Sequence, residues 1–231
     1  HRAEAERHLL AKQAIEAELK LMQAQVEPHF LFNTLASVQY LTETDPRAAN
    51  RLLGHLIDYL RAALPQLRAS STTLGKEVGL AEAYLNILRM RMGSRLAFAI
   101  DVPADLAAHP FPPNLLISLV ENAIKHGIEP AADGGTVSVR ARREGAVLVI
   151  DVQDTGRGPA GAARGGLGVG LANVRERLAA LYGPRAQFQL AGTLPAGTCA
   201  TLSIPVAAGF RTSDAPAPDV PPPVSARVLP R

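Results

Sequence analysis

Asn122 and Lys125 stand three residues apart in SLVENAIKHG (residues 118–127), with Glu121 directly before the asparagine and His126 directly after the lysine. An amide oxygen suits a hard cation such as Mg²⁺, which prefers oxygen ligands and shares them with phosphates. A lysine one helical turn along offers those phosphates a counter-charge. The same residues also read as a solvated helix face, with Glu121 and Lys125 paired at a spacing of four. Downstream, VLVIDVQDTGRG (147–158) runs as an apolar strand to Asp154, followed by Gly156 and Gly158. A carboxylate at a strand end, beside backbone free to turn sharply, can accept a hydrogen bond from an exocyclic amine. The plain alternative is an Asp-x-Gly turn. In GGLGVGLANVRERL (165–178), Gly166, Gly168 and Gly170 alternate just ahead of a helix. They offer an anion exposed amides and the positive end of the helix. Far upstream, QAQVEPHFLFNTLAS (23–37) sets His29 directly behind Pro28, with Asn33 and Gln25 one turn away on the same helical face. An imidazole nitrogen is a competent nucleophile toward a phosphoryl group.

Other nucleotide motifs do not fit. A dinucleotide fingerprint belongs in the first strand-to-helix turn of a parallel unit, whereas these glycines follow a hairpin late in the chain. The Gly-Lys-Ser/Thr of a Walker loop is absent. The 231 residues suit one or two domains, and 47% hydrophobic with 19% charged residues is an ordinary globular balance. A net charge of +3, with arginines scattered among few aromatics, argues against nucleic-acid binding. The single Cys199 allows no disulfide framework and points to a reducing compartment. His8, His55 and His109 have no partners at metal spacing, and Arg89 and Arg91 read as helix surface. No run of eighteen apolar residues is present. The chain opens on His1, so upstream sequence carrying a membrane segment or sensor is expected.

The elements that must position these groups follow from periodicity. Ile15, Leu19, Met22, Val26 and His29 step by four, three, four and three, the seam of a coiled coil within a helix over 3–41. Pro28 inside that helix should kink it and turn His29 toward solvent. Asp45-Pro46 caps and starts a second helix with Leu53, Leu56, Ile57, Leu60, Leu64 and Leu67 on one face. Two such helices cannot enclose a core alone, and a dimer would complete a four-helix bundle. RASSTTLG (68–75) reads as a hinge. Beyond it the pattern predicts a helix over 76–92, a strand over 95–102 and a helix over 113–126 stopped by Gly127. A hairpin of strands over 136–143 and 146–153, a helix over 170–182 and strands over 186–191 and 198–205 complete an α+β sandwich. The tail from 207 is proline-rich and expected to be disordered.

In this order and spacing, the three downstream stretches resemble the N, G1 and G2 boxes of the GHKL-type ATP-binding domain shared by histidine kinases, DNA gyrase, heat-shock chaperone ATPases and mismatch-repair ATPases. AGTCATLSIP (196–205) resembles that domain's closing strand. QAQVEPHFLFNTL is similar to the phosphoacceptor box of LytS/AlgZ-like sensor histidine kinases, and AYLNILRMRMGSRL (83–96) and ANVRERLAALYG (172–183) resemble that family too. The resemblance implies four regions: a coiled-coil signalling helix over 1–22, a dimerisation and phosphoacceptor domain over 23–72, an ATP-binding domain over 73–206 and the tail over 207–231.

It further implies that His29 accepts the phosphoryl group of ATP and that Asn122 holds Mg²⁺. Asp154 reads adenine with support from Thr198, Lys125 and His126 lie near phosphates, and Gly156, Gly158, Gly166, Gly168 and Gly170 shape the pocket. Asn33 carries an implied phosphatase role. Most histidine kinases place an acid directly after the histidine; here that position is Phe30, which leaves Glu27 and Glu121 both open as the general base. A homodimer, a response regulator with an acceptor aspartate, and a cytoplasmic location below an inner-membrane sensor are the implied partners and setting. Ser118 replaces the glutamate with which the clamp-like ATPases activate water, and Ile117-Ser118 departs from the family's glutamine-proline pair. An ATP-driven clamp and a nucleotide-binding scaffold stand as the alternatives.

Overall fold

The computed structural model describes residues 27–66, 69, 71–158 and 169–206, with side chains from 170 in the last segment. The coiled-coil seam, Gln25, Leu67, Gly166, Gly168 and the tail lie outside the described residues. Helix α1, Pro28–Thr44, starts at the proline: Glu27 has φ −58° and ψ 111°, outside the helical region. This corrects the expected interior kink. Pro28 occupies the first turn, where a missing N–H costs nothing and its fixed φ suits the helix. His29 is exposed all the same, and Phe30 and Thr34 turn inward.

Helix α2, Pro46–Gln66, is capped as expected, the amide of Ala48 donating to Asp45 Oδ1 at 3.0 Å. Its apolar residues divide between two faces. Leu52, Leu56, Tyr59 and Ala63 are buried, whereas Leu53, Ile57 and Leu64 stay about two-fifths exposed at 40%, 42% and 41%.

The expected hinge is largely structured. Strand β1, Thr72–Thr73, pairs antiparallel with β3, Pro110–Phe111, and the amides of Leu74 and Gly75 donate to the carbonyls of His109 and Ala107. Thr73 then caps helix α3, Leu74–Met92, by accepting from the amide of Lys76. Helix α4, Leu115–Asn122, buries Leu115, Leu116, Ile117, Leu119 and Val120, an apolar surface on nearly every side that demands a central position. It continues as a π-helical turn over Ala123–Ile128, closed by the amide of Glu129 donating to Ile124 O at 2.8 Å. Gly127 lies inside this turn instead of ending the helix.

The five-stranded sheet has the order β2-β4-β5-β7-β6, from β2 (Leu96–Asp101), β4 (Gly135–Glu144), β5 (Val147–Asp154), β6 (Gln187–Gly192) and β7 (Thr198–Pro205). β2 runs parallel to β4, and the other pairs are antiparallel. Val137 and Val139 of β4, Leu148, Ile150 and Val152 of β5, and Leu202 and Ile204 of β7 face the helices α3, α4 and α5 (Val169–Tyr182) in one core. The opposite face carries polar pairs such as Arg142 with Asp151, to which Thr201 donates at 2.7 Å. The result is the α+β architecture expected: a helical hairpin followed by helices layered on a mixed sheet. The core is continuous across both parts, since Phe30, Leu52 and Leu56 belong to the same buried cluster as the sheet.

One carboxylate ties α3 to α4. Glu77 is fully buried at 0% exposure and accepts the amides of Asn114 (2.8 Å) and Leu116 (3.0 Å), the orphan donors at the start of α4. Asn114 precedes the helix with φ +60°. Burial pushes the Glu77 carboxyl up to about 7, against the pull of those amides and of Arg177. In the unfolded chain this carboxyl titrates near 4.5, so between the two values the folded state keeps a proton that the unfolded chain has released. Its share of stability is therefore full below about 4.5 and lost as pH rises through about 7. Replacing Glu77 by alanine should cost on the order of 3 kcal/mol by orphaning these amides. Glu77→Gln should flatten the pH slope in urea melts taken between roughly pH 5 and 8. Parallel slopes for the two proteins would refute the assignment.

Candidate nucleotide and phosphoacceptor site

Strand alternation places the first half of the site. Side chains of Leu148, Ile150 and Val152 point into the core, and the same parity turns Asp154 under the helices at the strand's end, 3% exposed. β7 repeats the pattern through Ala200, Leu202 and Ile204, so Thr198 faces the same way and pairs with Asp154 in register. The Asp154 carboxylate accepts the Gly156 amide at 2.9 Å and the amide and hydroxyl of Thr198. Burial raises its pKa while these donors hold it down.

Two glycines bring the π turn against this carboxylate. A Cβ on Gly127 would overlap the Asp154 carboxylate, and one on Gly156 would overlap the carbonyl of Gly127. The amide of Arg157 donates to that carbonyl at 3.0 Å. Backbone thus rests directly on backbone where the N and G1 boxes meet. π turns inside helices frequently mark functional sites, and this one delivers Lys125 and His126, both exposed, at the rim. Gly158 closes the described part of the loop with φ +78°, and Gly170 lies exposed in the first turn of α5.

Asn122 is half-buried on the last turn of α4, and among the described residues its side-chain amide has no hydrogen-bond partner. No cluster of three His, Cys, Asp or Glu side chains among the described residues is placed to hold a metal. A hard cation takes oxygen ligands and shares them with phosphate and water, and an amide oxygen without a partner among the described residues fits that chemistry.

The second half of the site is the start of α1. Asn33 Nδ2 lies 3.2 Å from His29 Nδ1 and 3.0 Å from Nε2, so the amide can donate to whichever ring nitrogen carries the lone pair. Neither Glu27 nor Glu121, the two base candidates, hydrogen-bonds the imidazole. Glu27 Oε1 instead pairs with Lys125 Nζ at 2.8 Å, so the lysine expected at phosphates or at Glu121 reaches the start of α1. That hydrogen bond raises the Lys125 pKa. Glu121 is pushed up by burial and by the charge of Glu27, with Lys125 opposing. Burial foremost, then Glu121 and Glu27, also drive up the hydroxyls of Tyr59 and Tyr84.

Sequence reasoning missed two positions. Glu77 carries no local signal, because its partners are 37 and 39 residues away. Gly127 was read as a helix stop, although a glycine directly after the chemically suggestive Lys-His pair could have been tested for close packing. Ser118, at the position of the absent water-activating glutamate, donates to Asn114 O at 2.7 Å within its own helix. Arg89 lies over the Phe98 ring at 5.0 Å and donates to Asn86, in keeping with its expected surface role.

Comparison with known proteins bears on both halves. The family described as Histidine kinase matches residues 17–96, and the family described as Histidine kinase-, DNA gyrase B-, and HSP90-like ATPase matches residues 112–208. Sensor histidine kinase BtsS of Escherichia coli K12 is 37% identical over 171 residues, 73% of this chain and 30% of that protein. Sensor histidine kinase YesM of Bacillus subtilis is 30% identical over 203 residues, 87% and 35%. Sensor protein LytS of Staphylococcus haemolyticus is 32% identical over 201 residues, 82% and 34%. The histidine kinase domain of the Erythrobacter litoralis EL346 blue-light activated histidine kinase aligns at 19% identity with a TM-score of 0.48, covering 84% of this chain and 94% of that one. The chain thus spans about a third of the length of the curated relatives it matches. With a phosphoacceptor-type helical region followed by a GHKL-type ATPase domain, it belongs to the LytS-like sensor histidine kinases.

Proposed function

We propose that this chain is the catalytic portion of a two-component sensor kinase, which transfers the γ-phosphoryl group of ATP to His29 and then to an aspartate of a response regulator. The observation that carries this reading is the joint presence of an exposed His29, held by Asn33, and a free Asn122 amide one turn before Lys125, whose ammonium meets the residue two before His29.

Phosphoryl transfer asks a protein mainly for positioning and charge neutralisation. Asp154 accepts the exocyclic amine of adenine, with Thr198 fixing the carboxylate. Gly156, Gly158 and Gly170, with Gly166 and Gly168 beyond the described residues, would shape the nucleotide pocket and its lid. Asn122 would hold Mg²⁺, which when bound neutralises charge on the phosphates. Lys125 and His126 flank them. One nitrogen of the imidazole attacks the γ-phosphorus while the other sheds or shares a proton, and Asn33 orients the ring. Glu121 stays a candidate base through its raised pKa. After transfer, the Asn33 amide is placed to orient water for dephosphorylating the regulator.

The proposed division is a signalling helix over 1–22, an acceptor module over 23–72, an ATP-binding domain over 73–206 and a tail over 207–231. The exposed Leu53, Ile57 and Leu64, with Phe32 at 72% and Leu35 at 50%, support a homodimer that pairs the hairpins as a four-helix bundle. We place the chain on the cytoplasmic side, below a membrane sensor in the longer protein. The clamp alternative needs a water-activating carboxylate, and Ser118 supplies none.

Incubation with γ-labelled ATP and Mg²⁺ should give base-stable, acid-labile label on the chain and none on His29→Ala or Asn122→Ala. Steady phosphate release without label would favour the clamp. Asp154→Asn should weaken ATP binding roughly 100-fold or more, since it turns an acceptor toward the amine into a mixed group. Calorimetry finding wild-type affinity would remove Asp154 from the adenine site. Asn33→Ala should lengthen the lifetime of the phosphorylated regulator and also slow the labelling of His29, and an unchanged regulator lifetime would remove the phosphatase role. Leu53→Glu with Ile57→Glu should convert a dimer to monomer in sedimentation, and an unchanged mass would count against the bundle.

A further inference from the structure

The start of α1 is clamped to the same helix that fixes α4. Phe30, adjacent to His29 and 4% exposed, has its ring centroid 5.2 Å from that of Tyr59 and 4.9 Å from that of Tyr84 on α3. Seven residues earlier on α3, Glu77 holds the amides that begin the helix of Asn122. One rigid element of one chain therefore sets the position of both reacting ends. Glu27 adds a direct bridge, 2.8 Å to Lys125, three residues beyond Asn122. Both side chains of that pair are partly solvated, 41% exposed for Lys125 and 33% for Glu27, so the contact contributes register more than stability.

We infer that His29 receives its phosphoryl group from the nucleotide held by its own chain, and that Glu27 is a positioning residue that registers the phosphoacceptor helix on Lys125. The inference rests on the kinase reading above. In the step concerned, a bond forms between an imidazole nitrogen and the γ-phosphorus. The bond from phosphorus to the β,γ-bridging oxygen breaks, ADP leaves with the electron pair, and the ring proton passes to solvent. Glu27 acts before this step by bringing the ring to the nucleotide, so its loss should slow labelling without changing ATP affinity or the intrinsic reactivity of the ring.

Two measurements test this. First, His29→Ala and Asn122→Ala chains are co-expressed with different tags, purified through both, and given γ-labelled ATP with Mg²⁺. Transfer within a chain leaves both unlabelled, whereas label on the Asn122→Ala chain overturns the inference. Second, Glu27→Lys should lower the ATP-driven labelling rate about tenfold, with ATP affinity and labelling by phosphoramidate, a donor that needs no nucleotide site, held at wild-type values. Glu27→Gln should fall between the two. An unchanged ATP-driven rate overturns the role of Glu27, as does a parallel loss of phosphoramidate labelling or of ATP affinity. A wild-type chain labelled by phosphoramidate and not by ATP overturns the kinase reading and this inference with it.

Discussion

The buried carboxylate of Glu77 is the contact on which the arrangement of this molecule turns. A helix that begins inside a protein leaves its first amides without partners, and each costs on the order of 1–3 kcal/mol if left unmet. Helix α4 begins that way because its surface is apolar on nearly every side. It carries no cap of its own, for Asn114 makes no side-chain cap bond. The donors are met from α3, which fixes the separation and rotation of the two helices at their crossing. Since α3 also presents Tyr84 to Phe30, the geometry of Asn122 and that of His29 descend from one element.

The corner around Asp154 is built by a different logic, strand parity joined to the absence of side chains. Parity alone turns Asp154 and Thr198 to the same side, and register sets them opposite one another. What brings the helical turn down onto this pair is that Gly127 and Gly156 meet without a Cβ between them. The π turn carries Gly127 over Asp154 just before the helix ends at Ile128. Burial then raises the Asp154 pKa while the amide of Gly156 and the amide and hydroxyl of Thr198 are among the donors that oppose it, leaving an oriented acceptor in a partly dry site.

Much of this was legible in the sequence because it is local. Period-two alternation fixed β4, β5 and β7 within a residue or two, and Asp45-Pro46 marked the start of α2 as found. The spacing of Asn33 from His29 became an observed contact. What was not legible depends on long-range partners. The ladder between Thr72–Thr73 and Pro110–Phe111, which replaced most of the expected hinge, joins segments too short to show a period. Pro28 was read as a kink because the apolar seam runs up to it, yet the backbone of Glu27 leaves the helical region and the proline takes the first turn. The two apolar faces of α2 merged into a single stripe on paper, since adjacent residues such as Leu52 and Leu53 differ by only 100° around the helix.

Lys125 has to serve two anions, and the magnitudes say how. Its pair with Glu27 is partly solvated, a class of contact worth about 0–1 kcal/mol. A phosphate oxygen offers it a charge-assisted hydrogen bond about twice as strong as a neutral one, in a site drier than the rim. On the proposed reading, the three donors of the ammonium meet Glu27 and a phosphate oxygen together, so the same lysine holds the acceptor helix against the nucleotide. The pair with Glu27 then sets register and the phosphate contact supplies the strength, both through a single lysine.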